Sequence, residues 1–424
     1  MIDTFFNKLR LIATDRSLRN KVLFILGAFI LFRIFATIPI PGVDPIQLEA
    51  FFRDNEFLGL LNIFSGGGLS SLSIVMIGLS PYITAAIIMQ LLTIMSPKLK
   101  SLNTEEGEAG RKKFTQYARL LTVPLAFIQA AGFLILLTRQ GIIPGLDMPT
   151  FALNVLVVAA GSILLMWIGE LVTEFGIGNG VSLLIFAGIV ASLPTLVAQL
   201  IFTFDISQLP LLIAFTAATL VVTAAVVVMA EAERPVPISY ARQVRGSKTA
   251  GNVQTYLPLR INQAGVIPII FALSILLFPQ MVLNLFLAME NQTLVNAAQL
   301  ILDVLNNPWF YGIFYFVLVF LFTFFYTAVT FDPDSVANNL KKSGAFIPGV
   351  RPGEATASYL GHILTRITFF GACFLGAIAV LPLVMQGVTG FAALAIGGTA
   401  LLITVTVVLD LVRKVDAQLS VREY

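Results

Sequence analysis

Ten long apolar runs constrain this 424-residue chain more than any other feature. They lie at roughly 22–38, 74–95, 114–137, 151–171, 181–202, 209–230, 262–285, 308–331, 362–385 and 391–412. A hydrocarbon core about 30 Å thick takes about 20 apolar residues per helix, so each run is close to spanning length or above it. In lipid, backbone polar groups must be satisfied within the segment, which makes these runs helices. Composition agrees: 57% of residues are hydrophobic and only 12% charged, with mean hydropathy +0.91. A soluble domain carries about 25% charged residues. No small-residue cleavage site precedes the first run, so no cleaved signal peptide is expected. The single cysteine, Cys373, lies inside an apolar run. It permits no internal disulfide and no cysteine metal cluster, and reads as a small core residue.

Lys and Arg set the orientation. With ten spans, Lys8, Arg10, Arg16, Arg19, Lys21, Lys98, Lys100, Arg111, Lys112 and Lys113 fall on the side of the N-terminus. So do Arg234, Arg242, Arg245, Lys248, Arg260, Lys341, Lys342, Arg351, Arg413, Lys414 and Arg422, making 21 of the 26 basic residues. Only Arg53 and Arg139 fall opposite, and Arg33, Arg119 and Arg366 lie within runs. The positive-inside rule then makes both termini cytoplasmic. Five spans per half would give two halves of opposite orientation, a known membrane architecture, although no sequence repeat between them is visible. Three cytoplasmic segments, 96–113, 231–261 and 332–361, are long and mostly basic. They either set topology alone or dock a partner.

The outward segment 39–73 ends in EFLGLLNIFSGGGLSSLS. A short apolar stretch, a glycine break and serines are too apolar for an ordinary loop and too polar for lipid. About ten apolar residues suit a re-entrant or interfacial segment, and irregular backbone at membrane depth needs protein or a wet cavity around it. Two readings stand: a half-helix dipping into an outer vestibule, or a loop on the outer interface.

Catalytic constellations are hard to find. His362 is the only histidine, and no serine sits in a nucleophile-elbow pattern. FGIGNG (175–180) lacks the spacing and acidic partner of a nucleotide loop, and reads as a tight turn between spans four and five. An ion-coupled transporter would want ionisable groups at mid-membrane. Glu170, Glu174 and Asp410 lie near span ends, and Arg33 is the one charge well inside a span. Spans two, five, seven and ten instead carry aliphatic residues beside small and polar ones. Such residues pack a core, or form a constriction that gates by dewetting.

Six motifs add a family resemblance: IPIPGV (38–43), NIFSGGGLS (62–70), SPYITAAIIMQLL (80–92), TEFGIGNGVSLLIFAGIV (173–190), LPLRINQAGVIPIIFA (257–272) and GAFIPGVRPGE (344–354). In this order they make the whole chain resemble the SecY family, channel subunits of the bacterial protein-conducting translocon. The resemblance implies an all-α integral membrane protein of ten transmembrane helices. These form two inverted five-helix halves, 1–203 and 204–424, around a central pore. It implies a plug within about 57–73, carried by Asn62, Ile63, Phe64, Ser65, Gly66, Gly67, Gly68, Leu69 and Ser70. By motif position the pore ring falls on Leu79, Ile83, Val181, Ile185, Ile270 and Ile403, with Leu79 and Val181 where the family often has isoleucine. A lateral gate lies between spans two and three and spans seven and eight, with Thr84, Gln90 and Ser274 expected in its polar lining. Arg351 and the loop residues Arg242, Arg245 and Lys248 would engage SecA or the ribosome, although GSKTAGN (246–252) replaces a commonly more basic stretch.

The function implied is passage of unfolded polypeptides across the bacterial inner membrane and sideways release of hydrophobic segments into lipid. The partners implied are SecE and SecG subunits, the SecA motor, the ribosome, signal peptides and nascent polypeptides. No cofactor, metal or catalytic residue is expected. A small-solute secondary transporter and an intramembrane enzyme are the competing classes.

Overall fold

The computed structural model describes residues 14–41, 68–69, 71–104, 106–139, 143, 145, 147–202, 209–240, 254–287, 291–305, 307–389 and 397–420. Every apolar run carries a helix. In chain order these are α1 (Arg16–Thr37), α2 (Ser80–Met95), α4 (Gly107–Arg139), α5 (Met148–Phe175), α6 (Gly180–Phe202), α7 (Leu209–Glu231), α8 (Ile267–Leu287), α10 (Pro308–Thr330), α12 (Glu354–Thr389) and α13 (Gly397–Ser420). Three shorter helices intervene: α3 (Pro97–Thr104), α9 (Gln292–Leu305) and α11 (Pro333–Lys342). Among the described residues, six helices are long and apolar enough to cross a membrane: α1, α4, α5, α8, α10 running into α11, and α12.

Local chemistry sets several helix ends. The carboxylate of Asp15 accepts the Ser17 N–H at 2.8 Å to cap α1, and Asn307 accepts the Trp309 N–H at 3.0 Å to cap α10. Pro308 and Pro333 occupy the first turn of their helices, where the missing N–H is harmless.

The all-α expectation is too narrow. The basic segments 231–261 and 332–361 form a three-stranded antiparallel sheet of order β2-β1-β3: β1 (Glu233–Tyr240), β2 (Gln254–Arg260) and β3 (Ala345–Phe346). Prolines in ERPVPISY and QTYLPLR disguise the strands. β3 pairs only at Ser239 and Tyr240, so Pro235 and Pro237 fall where β1 has a neighbour on one side alone, and β2 is an edge strand. Edges are where strands tolerate proline.

Span two also departs from its expected range of 74–95. Residues 71–79 are buried turns, and helix begins only at Ser80. Gly78 has φ +62°. The Ser162 hydroxyl of α5 donates to the Gly78 carbonyl at 2.7 Å. Ile38–Ile40 and Leu72–Ile74 pair through Ile40 N–H to Leu72 (2.8 Å) and Ile74 N–H to Ile38 (3.0 Å). These partners satisfy the polar groups that an interrupted helix frees.

Three apolar cores result. The central one draws on α1, α2, α5, α6, α8, α10, α12 and α13. A second joins Leu69, Leu72 and Met76 to α4 and α5, with Met281 of α8 reaching in. The third packs the sheet against α11 and the start of α12. The first five apolar helices meet the last five along two lines: α2 and α4 against α8, and α6 against α13.

Candidate functional site

The ring candidates sit on helices whose starts are tightly fixed. At α6, the Asn179 side chain accepts N–H bonds from Val181 (3.0 Å) and Ser182 (3.3 Å). Thr173 of α5 accepts the Gly180 N–H at 2.9 Å. A Cβ on Gly180 would overlap the Gly169 carbonyl, and Gly178 has φ +93°. FGIGNG is thus the tight turn expected, with glycine required by space at one position and by backbone at another. It sets Val181 and Ile185 one turn apart on one face of α6. At α2, the Ile83 N–H donates to the carbonyl of the capping residue Leu79 at 3.0 Å, so these two also stack one turn apart. At α8, Gly265 takes φ +62° and the Val266 carbonyl accepts the Ile270 N–H at 3.3 Å.

Leu79, Ile83, Ile185, Ile270 and Ile403 are all buried in the central core, with half-buried Val181 packed against it. The structure therefore places these residues of α2, α6, α8 and α13 in one apolar core. Many other side chains share that core, so membership alone does not distinguish a ring from packing.

A hollow of about 310 Å³, lined by both polar and apolar groups, opens between the starts of α6 and α8 and the C-terminal part of α13. Its apolar wall includes Ile267 and Val407, one helical turn from Ile270 and Ile403. Its other side carries Arg260, Asp410, Arg413 and Lys414. Lys414 Nζ binds Asp410 Oδ2 at 2.6 Å, and Arg413 Nη2 donates to the Ala230 carbonyl at 2.9 Å. Asn262 Oδ1 is buried there with no hydrogen-bond partner among the described residues. The hollow thus pairs a charged side with an apolar wall one helical turn from Ile270 and Ile403, and none of the six ring candidates lines it. Sequence reasoning used Arg260, Arg413 and Lys414 only to orient the chain.

The gate candidates lie along α2 and α8. Thr84 and Ser274 are buried and donate to the carbonyls of Ser80 and Ile270, each at 2.9 Å. Gln129 of α4, which sequence reasoning missed, is fully buried and donates from Nε2 to Thr84 Oγ1 at 3.3 Å. An amide inside an apolar run was the available signal. The Ser80 hydroxyl and the side-chain carbonyls of Gln90 and Gln129 are buried without partners among the described residues. Buried polar atoms are normally paired; α2 and α4, which both pack on α8, carry three of the orphans.

Arg351 is exposed on a turn between Gly349 (φ +82°) and Gly353 (φ +106°). The turn is tied down by the Thr356 hydroxyl, which donates to the Arg351 carbonyl at 2.9 Å. Arg242, Arg245 and Lys248 lie outside the described residues. So does the expected plug, apart from Gly68 and Leu69, both buried. The Gly68 carbonyl accepts the Ser73 N–H at 2.7 Å.

The family model described as SecY matches residues 73–412. The protein translocase subunit SecY of Mycobacterium bovis is 40% identical over 445 residues, covering 100% of this chain and 99% of the relative. The chain belongs to the SecY family. Another SecY relative, from Pseudomonas aeruginosa, is 43% identical over 412 residues, covering 95% of this chain and 91% of its own. Among solved structures, a protein conducting channel aligns with TM-score 0.66 at 20% identity, covering 95% of this chain and 93% of that one. A SecY protein whose plug domain stabilises the closed state of the translocation channel and maintains a membrane seal aligns with TM-score 0.65 at 21% identity, covering 95% and 92%. Canine Sec61 from a ribosome–channel complex gives TM-score 0.64 at 19% identity, covering 95% and 93%. These likenesses give the fold, a multi-pass SecY channel fold; the sequence relatives give the family.

Proposed function

We infer that this chain is a protein-conducting channel: it passes unfolded polypeptides across the membrane and releases hydrophobic segments sideways into lipid. Family membership carries the reading, and a hollow lined by charged and apolar groups one helical turn from Ile270 and Ile403 supports it. The comparisons give a small-solute transporter no support. A chain in transit exposes unpaired backbone groups, each costing several kcal/mol in hydrocarbon. A wet path removes that cost, and aliphatic side chains closing around the chain limit ion leakage. Leu or Ile gains about 0.3–0.6 kcal/mol at the centre of a membrane helix, whereas Arg costs about 2.5–3.5. Partitioning at a gate can therefore sort exported from integral segments without a chemical step.

In finer detail, the chain makes ten spans in two inverted halves, 1–203 and 204–424, with both termini in the cytoplasm of a bacterium. The ring is Leu79, Ile83, Val181, Ile185, Ile270 and Ile403. The gate opens along the seam of α2 and α4 with α8 and α10, where orphaned polar atoms would gain water on opening. The plug is 62–70. Arg351, Arg242, Arg245 and Lys248 dock SecA or the ribosome, and SecE and SecG are companion subunits. Orientation is checked with cysteines in a Cys373→Ser background: Ser247→Cys should react with impermeant reagents only from the cytoplasm, and Arg53→Cys only from outside. Function is tested by reconstituting the chain with SecE- and SecG-type subunits and a SecA motor. ATP-dependent protection of an unfolded precursor inside vesicles is expected. Absence of protection, with ion-coupled uptake of a small solute instead, would reject the reading.

A further inference from the structure

Helix α9 (Gln292–Leu305) joins α8 to α10 and packs on both. At 14 residues it is about 21 Å long, too short to cross a core of about 30 Å. Its side chains fall into three stripes. Val295, Ala298, Leu302 and Leu305 face the protein, with Ala298 buried and the others half-buried. Gln292, Asn296, Gln299 and Asp303 form a wholly exposed polar stripe. Leu294, Ala297, Ile301 and Val304 form a third stripe, apolar yet exposed, with Leu300 beside it at 69% exposure. A helix at the end of two membrane helices needs only the first two stripes if water surrounds it.

The third stripe lies next in the chain to a helix with an exposed apolar face. α10 starts three residues after α9, and its first turn carries Trp309, 81% exposed, with Phe310. Tryptophan is enriched at the membrane–water boundary. Further along the same spanning helix, Ile313 and Val317 are exposed. The boundary therefore lies at the level where α9 meets α10. Charge narrows the kind of contact. No Lys or Arg occurs between Arg260 and Lys341, so attraction to anionic headgroups has no source here, and apolar area must supply the contact.

We propose that α9 is an interfacial anchor whose Leu294–Ala297–Ile301–Val304 stripe sits in the outer leaflet of the bilayer, with Asn296, Gln299 and Asp303 in water. The proposal rests on the multi-pass channel reading. It adds that the bilayer surface holds the link between α8 and α10, the two helices on one side of the gate, so that gate opening has to carry α9 along the interface.

The test uses the full chain in phosphatidylcholine vesicles, in the Cys373→Ser background. Single variants Ile301→Cys, Val304→Cys, Gln299→Cys and Asp303→Cys carry an environment-sensitive fluorophore, and Ile313→Cys serves as the lipid reference. The labels at 301 and 304 should lose most of their emission to nitroxide-bearing lipid and little to aqueous iodide. The labels at 299 and 303 should do the reverse. Adding phosphatidylglycerol or salt should leave the pattern unchanged. Iodide quenching of all four would place the stripe in water, and shielding from both quenchers would mean protein covers it; either result overturns the anchor. A pattern that appears only with phosphatidylglycerol would also overturn it. If Ile313→Cys itself escapes the lipid quencher, the failure lies with the spanning assignment and not with α9 alone.

Discussion

Gly132 of α4 lies directly against the backbone carbonyl of Met281 on α8, so close that a Cβ at position 132 would overlap that oxygen. Glycine is required here for space, since the contact is backbone to backbone. One helix is among the first five apolar helices and the other among the last five, and Met281 is buried in the core otherwise built largely from α4, α5 and the turns before α2. If this seam is where the gate parts, Gly132→Ala should wedge it. Overpacking of this kind costs typically about 1–3 kcal/mol, and it acts only on the closed seam. The variant should accept weakly hydrophobic signal sequences that the parent rejects, with assembly intact. Signal selection unchanged from the parent, measured as export of a graded signal series, would make the seam static packing.

Arg351 should act through its charge alone. The turn that presents it is set by Gly349, Gly353 and the hydrogen bond from Thr356, none of which involves the guanidinium. Arg351→Glu should therefore assemble normally. It should still lose partner-driven export by about tenfold or more, since each 1.4 kcal/mol of lost binding is a factor of ten and a like-charge contact costs several. Export rate and membrane content are measured together. Full export would remove Arg351 from the docking surface.

The proposed plug divides at its end. Leu69 is fully buried in the core it shares with α4 and α5, so Leu69→Ala should destabilise the fold by about 2–5 kcal/mol, as buried leucine truncations do. Deleting 62–67 leaves Gly68 and Leu69 in place and should spare stability. It should make the idle channel leak ions and relax signal selection. Thermal stability and vesicle conductance separate the two effects. A stable, tight and fully selective deletion would make 62–67 a surface loop.

Much of this was legible from hydropathy and motif order. All ten apolar runs carry helices, because in lipid a long apolar run has few alternatives. The ends were less legible. The run at 362–385 belongs to a helix beginning at Glu354, since its polar N-terminal extension carries no hydropathy signal. The run at 74–95 begins as turns, because hydropathy reports burial and these turns are buried too. The sheet was missed because proline at a strand edge looks like proline in a loop. The Gly132 contact and the hollow are products of packing between distant segments, which no local pattern encodes. The ring residues came from family motifs; periodicity by itself left them indistinguishable from core.

The central claim is that the buried aliphatics from α2, α6, α8 and α13 seal a path. Its most direct test is the ion conductance of the idle, reconstituted channel. Ile83→Ser with Ile403→Ser places hydroxyls where two different helices meet the core, and should let water enter and raise conductance well above the parent. The lipid-facing pair Leu220→Ser and Leu321→Ser, at 66% and 56% exposure, should leave it unchanged. Conductance of the Ile83/Ile403 variant indistinguishable from the parent, in protein shown to be folded and inserted, would contradict the claim.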